Sequence, residues 1–350
     1  NWIKINPEQT GFFRVNYNDN NWESLHNAIA EKLLPPADRV GLQNDAFALS
    51  KSGLIPITRF LNICLAYKGE TNAIVWQDLY ANLKSIGHQL SNTAHEKAYK
   101  GFIVNLLDLI KLKINWEPTS SDKHLDMILR ATVLNALGEN GNVNTISKAN
   151  QIFQEFCNTG KMIDPNIKST VYSLITKEGN QDIYDKLWQL QKDSELEEER
   201  VRILRSMTCF NDKTLLQRLL EKSLSDEIRY HNTIGIVVGI GNNPSGEELA
   251  WEFLKNNWGE FNRRYGEGGF MKSHIDNIHH SHGQKQGYPH LTSLIFLNDD
   301  YEGGDFVLCG DKYIEKIQGS AVVFPSNFMY PHEVKEVTDG KRFSVMTWIL

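Results

Sequence analysis

The chain has 350 residues, of which 41% are hydrophobic, 23% charged and 10% aromatic, with a formal net charge of -6 and a pI near 6.0. That length admits two domains with separate cores, and the composition is ordinary for a globular protein. The acidic balance argues against a general attraction to nucleic acid or an anionic membrane, and no apolar run approaches membrane-spanning length.

The four cysteines, Cys64, Cys157, Cys209 and Cys309, are widely spaced and form no C-x-x-C pair. Free thiols are therefore expected, which favours a reducing compartment and a cytoplasmic location. No signal peptide is recognisable, and residue 1 is Asn.

Residues 1–17 read as a β-hairpin. Trp2-Ile3-Lys4-Ile5 and Phe12-Phe13-Arg14-Val15-Asn16-Tyr17 flank the turn-like Pro7–Gly11. Two strands alone are marginal, so the pair is expected to pack on something larger.

From about residue 22 to 262 the apolar period becomes helical. Leu25, Ile29 and Leu33 fall on one stripe that Pro35-Pro36 ends, and a second helix runs from Asp38 to Ser50. Further helices are expected at about 56–67, 71–89, 93–112, 122–137, 143–158, 167–177, 181–192, 195–208, 212–223, 227–239 and 247–262. Short Gly, Asn, Asp and Pro punctuation separates them. Many helices joined by short loops suggest an α-solenoid of HEAT or armadillo type, spanning 18–264, though no exact repeat is visible.

From Tyr265 the pattern changes to short β-rich runs with turn signals between them, such as Asn298-Asp299-Asp300, Gly303-Gly304 and Asp339-Gly340. Closely spaced antiparallel strands over 265–350 indicate a sandwich or jelly roll. The fold class expected is thus multidomain α + β: hairpin, α-solenoid, then a truncated double-stranded β-helix.

The same stretch holds the densest chemistry. His274 and Asp276 alternate onto one face of a strand, and His332 stands in Pro331-His332-Glu333-Val334. Two imidazoles and one carboxylate suit divalent iron with coordination positions left open. Arg342, with Ser344 on the same face of its strand, suits a planar carboxylate. For an isolated His-Asp pair the bland reading, satisfied structural residues, would prevail. His279, His280 and His282 read as a solvated loop, Asn298 as a turn cap and Gly303-Gly304 as a backbone turning point. Cys309 receives no catalytic role.

Two resemblances follow from these residues. The segments Trp2–Asn6, Gly11–Tyr17 and Leu34–Phe47, with Val75-Trp76 and Ala250–Trp258, resemble the C-terminal helical domain of zinc aminopeptidases of the puromycin-sensitive type. That likeness covers about 1–271. The zinc helix H-E-x-x-H is missing, since His95-Glu96 continues as Lys97-Ala98-Tyr99. The resemblance then implies a scaffold without peptidase activity.

His274-Ile275-Asp276, Phe296–Gly304, Gly319–Ser326, Pro331–Val334 and Gly340–Ile349 occur in the order found in 2-oxoglutarate- and iron(II)-dependent dioxygenases, and resemble the prolyl 4-hydroxylase-like branch. This second resemblance implies iron(II) on His274, Asp276 and His332. It also implies 2-oxoglutarate with its distal carboxylate on Arg342, helped by Ser344 and by Tyr265, whose alternative role is a packing aromatic. Dioxygen, ascorbate and a protein or peptide substrate complete the set it implies, with peptidyl proline as first guess. The first jelly-roll strand is not recognisable before His274. Three readings stay open at this point: an oxygenase fused to a helical scaffold, a non-catalytic binding module with a decayed oxygenase tail, and an artefactual junction of two genes near 265–272.

Overall fold

The computed structural model describes residues 1–261, 271–274, 291–326 and 329–349, with the backbone alone described at 230, 271–274, 348 and 349. The chain divides into two units, Asn1–Trp251 and Glu252–Leu350.

In the first unit, helices begin where the sequence supplies acceptors for their unpaired amides. Asn18 caps α1 (Asp19–Ala30), Asn72 caps α4 (Ala73–Leu90), Asn142 caps α8 (Val143–Thr159), Asn180 caps α10 (Gln181–Asp193) and Asp212 caps α12 (Lys213–Ser223). Proline occupies the first turn of α2 (Pro36–Lys51) and α9 (Pro165–Lys177), and Gly160, at φ 73°, closes α8. Between them lie α3 (Ile57–Cys64), α5 (Glu96–Leu106), α6 (Asp108–Lys111), α7 (His124–Glu139), α11 (Glu197–Met207) and α13 (Tyr230–Gly241), and α14 (Glu247–Asn256) spans the boundary between the units.

One row of helices runs α2, α4, α7, α9, α11, α13, each touching the next, while α3, α5, α8, α10 and α12 pack beside members of that row. Such nearest-neighbour stacking needs a continuous apolar stripe. On α4 that stripe is Val75, Trp76, Leu79 and Leu83, all buried. Where α7 meets α9, a Cβ on Gly138 would stand 2.4 Å from the Leu174 methyls, so glycine there permits the close approach.

A buried ion pair fastens the start of this row. Arg39 Nε and Nη2 reach the Glu70 carboxylate at 2.6 and 3.0 Å, and Arg39 Nη1 donates to the Leu34 carbonyl at 2.5 Å. Glu70 also accepts the amides of Thr71 and Asn72, each at 2.8 Å. Burial alone would raise the Glu70 carboxyl, yet Arg39 and those amides hold it below the ordinary carboxylate value.

Residues 1–17 do not form the expected hairpin. No strand occurs there; Pro7–Gln9 makes a 3-10 turn, and Asn6, Glu8 and Gln9 all take positive φ. A strand needs a neighbour for its backbone groups, and here side chains of the helical unit serve instead. Asn21 bonds both the N–H and the carbonyl of Ile3 at 2.8 Å, the Tyr17 hydroxyl takes the Ile5 N–H at 3.0 Å, and Asp38 takes the Glu8 N–H at 2.6 Å. Trp2, Ile3, Ile5, Phe12 and Phe13 face outward, with Phe12 85% exposed, while Val15 and Tyr17 turn into the core of the helical unit.

The second unit carries antiparallel strands. One sheet runs β1 (Met271–His274), β7 (His332–Val334), β4 (Phe306–Leu308), β5 (Lys312–Ile314). A second runs β6 (Ala321–Pro325), β2 (Leu291–Phe296), β9 (Ser344–Ile349), and β3 (Glu302–Gly303) pairs with β8 (Val337–Asp339). Along β2, Thr292, Leu294 and Phe296 are buried and alternate with more exposed neighbours. Leu294, Phe296, Phe306, Leu308 and Phe324, drawn from both larger sheets, form the core.

Candidate functional site

The register between β1 and β7 makes His274 and His332 direct Cα partners, with a one-residue irregularity between Met271 and His274. A bulge of this kind re-aims a strand beside a site. His332 is flanked on its other side by Leu308 of β4, so it lies on a central strand.

The His332 ring is 2% exposed and packs edge-on against Phe324, with centroids 4.8 Å apart, and against Phe306 at 5.5 Å. Its Nδ1 lies 3.3 Å from the Tyr330 carbonyl, an oxygen that can only accept. A neutral ring that donates from Nδ1 to this carbonyl carries its lone pair on Nε2, and such a contact holds the ring in place as backbone carbonyls do for metal-binding histidines. This donor chemistry fits a divalent metal. Of the other predicted ligands, His274 is described in its backbone only, and Asp276 lies outside the described residues. So do Tyr265 and the histidines at 279, 280 and 282.

Arg342 stands between β8 and β9. Its guanidinium carbon lies 5.7 Å from the Phe296 ring centroid, and Ser344, at the head of β9, is the register partner of Phe296. Arg342 and Ser344 thus gather at Phe296, which belongs to the same apolar cluster that borders His332. Arg342 Nε and Nη2 are buried without a hydrogen-bond acceptor among the described residues. Buried donors are nearly always paired, so these two atoms fit a planar anion.

Asn298 does more than cap a turn. It holds Asp300 at 2.6 Å, donates to the Lys341 carbonyl at 2.7 Å and accepts the Phe343 N–H at 2.7 Å, gripping both neighbours of Arg342. The Gly303-Gly304 pair meets a backbone demand, with φ values of 67° and 62°. A Cβ on Gly304 would come within 2.9 Å of Tyr301 Cε2 and 3.2 Å of Arg342 Cδ. Tyr301, 4% exposed, also has a buried hydroxyl without a partner among the described residues. The sequence signal for it was present but faint, since an aromatic before a glycine pair reads as packing. Thr292 and Ser326 share a buried hydroxyl bond of 2.6 Å that joins β2 to the end of β6.

In the first unit a cavity of about 510 Å³ is lined by Tyr80, Lys84, Glu139, Lys177 and Cys209, among others. Lys84 pairs with the Glu139 carboxylate at 2.7 Å, Tyr80 donates its hydroxyl to the same group, and Lys177 donates to the Glu139 carbonyl at 2.7 Å. Burial pushes the Cys209 thiol up, which disfavours the nucleophilic thiolate. Burial draws Lys177 below its ordinary value against the pull of Glu139. Glu96, the acid of the broken zinc motif, spends its carboxylate on Lys100 at 2.6 Å and the Asn92 amide at 2.8 Å. It serves a helix start.

Comparison with known proteins gives two matches, which overlap over residues 261–285. Residues 2–285 match the ERAP1-like C-terminal domain, and residues 261–350 match the 2OG-Fe(II) oxygenase superfamily. The chain is 32% identical over 264 residues to aminopeptidase M1-A of Oryza sativa subsp. japonica, covering 73% of this chain and 30% of that protein. It is 31% identical over 286 residues to aminopeptidase M1 of Arabidopsis thaliana, covering 79% of this chain and 32% of that one. For aminopeptidase N of Bos taurus the identity is 27% over 284 residues, 78% of this chain and 29% of that one. The chain therefore spans about a third of the length of the curated relatives it matches. Among the described residues no helix is long and apolar enough to cross a membrane. The chain belongs to the ERAP1-like C-terminal domain family and ends, over residues 261–350, in a match to the 2OG-Fe(II) oxygenase superfamily.

Proposed function

We propose that the second unit is the jelly-roll core of an iron(II)- and 2-oxoglutarate-dependent hydroxylase, prolyl 4-hydroxylase-like, and that the first unit is an α-solenoid scaffold that docks its protein or peptide substrate. The observation that supports this most directly is the β1–β7 register, which sets His274 opposite His332. His274, Asp276 and His332 would hold the iron. Arg342, with Ser344 and Tyr265, would hold the distal carboxylate of 2-oxoglutarate. Bound iron and 2-oxoglutarate supply the oxidative chemistry that activates dioxygen, with ascorbate as reductant.

The protein's own residues bind, orient and exclude water. With Nδ1 donating to the Tyr330 carbonyl, His332 presents its lone pair from Nε2. Phe306 and Phe324 keep water from the imidazole, and a dry pocket strengthens the pairing of a guanidinium with a carboxylate. Asn298 holds the backbone on both sides of Arg342, which fixes the depth at which the anion sits.

Equilibrium dialysis of the full chain with ferrous iron under anaerobic conditions tests this reading. The parent should retain iron, and His274→Ala, Asp276→Ala and His332→Ala should each lose it. Equal retention by all four proteins would remove the reading. The cavity of the first unit, which presents both charged and apolar groups, favours a second reading, a peptide- or protein-binding module with a decayed oxygenase tail. Peptide binding without any iron or 2-oxoglutarate binding would select it.

A further inference from the structure

Around Gly304 the structure collects three buried hydrogen-bond donors that lack an acceptor among the described residues: Arg342 Nε, Arg342 Nη2 and the Tyr301 hydroxyl. A guanidinium has no acceptor capacity, and a phenol beside it is most useful as a donor. Unpaired buried donors are a cost to a fold, and two such side chains meeting at one glycine call for a common explanation. What they lack together is a compact acceptor with negative charge and more than one oxygen.

The surroundings favour an anion there. Lys316 lies over the Tyr301 ring, Nζ 4.5 Å from its centroid, and is tied to the Tyr301 and Gly303 carbonyls at 2.8 and 3.1 Å. It fixes the phenol from one side and adds positive charge. Gly304 and Gly340, at φ 62° and 76°, leave out side chains whose Cβ would stand 2.9 and 3.2 Å from Tyr301 atoms. The Arg342 guanidinium is set over Phe296. The phenol packs against Lys316 and the guanidinium against Phe296, and neither contact uses their unpaired donors.

We infer that the Tyr301 hydroxyl is a second donor to the carboxylate that Arg342 binds, so that the distal end of a 2-oxo dicarboxylate is gripped by phenol and guanidinium together. This rests on the oxygenase reading of Arg342. Tyr301 is then a binding residue that selects for the second carboxylate.

Calorimetric titration of the full chain, loaded with Mn(II) in place of iron, separates the two ideas. The ligands are 2-oxoglutarate and 2-oxopentanoate, which has the same carbon chain without the distal carboxylate. Tyr301→Phe should weaken 2-oxoglutarate roughly ten- to a hundred-fold, the loss of one hydrogen bond to a charged group, and leave 2-oxopentanoate unchanged. Because the variant deletes an unpaired buried hydroxyl, its melting temperature without ligand should equal or exceed that of the parent, while the rise produced by 2-oxoglutarate shrinks. If the parent binds 2-oxoglutarate, Arg342→Ala loses it and Tyr301→Phe matches the parent, the role of Tyr301 is overturned and the oxygenase reading stands. Equal weakening of both ligands, or a lower unliganded melting temperature, also overturns it. A parent that binds neither ligand overturns both ideas.

Discussion

Asn298 straddles Arg342. Its amide oxygen accepts the Phe343 N–H at 2.7 Å, and its amide nitrogen donates to the Lys341 carbonyl at 2.7 Å. The Leu297 N–H continues the β2–β9 pairing onto the Phe343 carbonyl at 3.0 Å, so the arginine leaves a backbone held on both sides. An anion site gains from such support because geometry lost at the backbone is multiplied at the end of a long side chain.

Asn298→Ala should therefore weaken 2-oxoglutarate binding several-fold, about 1 kcal/mol for the lost hydrogen bonds, while ferrous iron binds as in the parent. Asn298→Asp keeps the acceptor for Phe343 but loses the donors to Lys341 and Asp300 and sets a second carboxylate against Asp300, so it should weaken binding at least as much. Calorimetry with each ligand separately checks this. An unchanged 2-oxoglutarate affinity would detach Asn298 from the site.

Gly304→Ala places a Cβ against Tyr301 and Arg342 at a positive φ. Backbone strain of this kind costs on the order of 1–3 kcal/mol. The melting transition of the second unit should fall accordingly, and 2-oxoglutarate binding should weaken with it. A variant as stable as the parent would mean that this turn has room the structure does not show.

In the first unit, Arg39→Met removes the partner of a buried carboxylate. Breaking one side of such a pair costs about 3–5 kcal/mol, a loss that urea unfolding followed by helix content would register. Glu70→Gln, which keeps the shape and one acceptor for the Thr71 and Asn72 amides, should cost less. Indistinguishable unfolding midpoints for the parent and Arg39→Met would show that the pair is not desolvated in solution.

Asp78 gives a pH signature. Burial pushes its carboxyl up from 3.8 to about 6, with a hydrogen bond from Asn44 acting the other way. The folded state therefore holds this proton more tightly than the unfolded state, so the associated stability is present below pH 3.8 and is lost as pH rises through about 6. Asp78→Asn, which cannot ionise, should match the parent near pH 4 and exceed it at pH 8 by about 1–3 kcal/mol. Melting curves across that range check it, and a constant difference at both ends would refute it.

How much of this was legible in the sequence depends on how local the cause is. Asn72, Asn142 and Asn180 stand directly before apolar stripes, so cap and helix are read from one short window. The motif around His332 and the arginine beyond it are read as a candidate site from the order in which they stand, a reading made from the resemblance and not from any local pattern. The hairpin at 1–17 was not, because alternation describes a strand only if another strand supplies partners, and Asn21, Tyr17 and Asp38 supplied them instead. Asn298 bonds a segment some forty residues away, Lys341 to Phe343, and no local pattern announces a contact of that range. The Gly303-Gly304 turn was read correctly as a backbone requirement, although what it makes room for emerges only in three dimensions.

Release of succinate from 2-oxoglutarate by the full chain, with and without ferrous iron, tests the central claim most directly. The account predicts succinate only when iron is supplied, none from His274→Ala, Asp276→Ala or His332→Ala, and recovery of Arg342→Ala at raised 2-oxoglutarate concentration. Equal release by the parent and all four variants, or no release by the parent at any iron concentration, would contradict it.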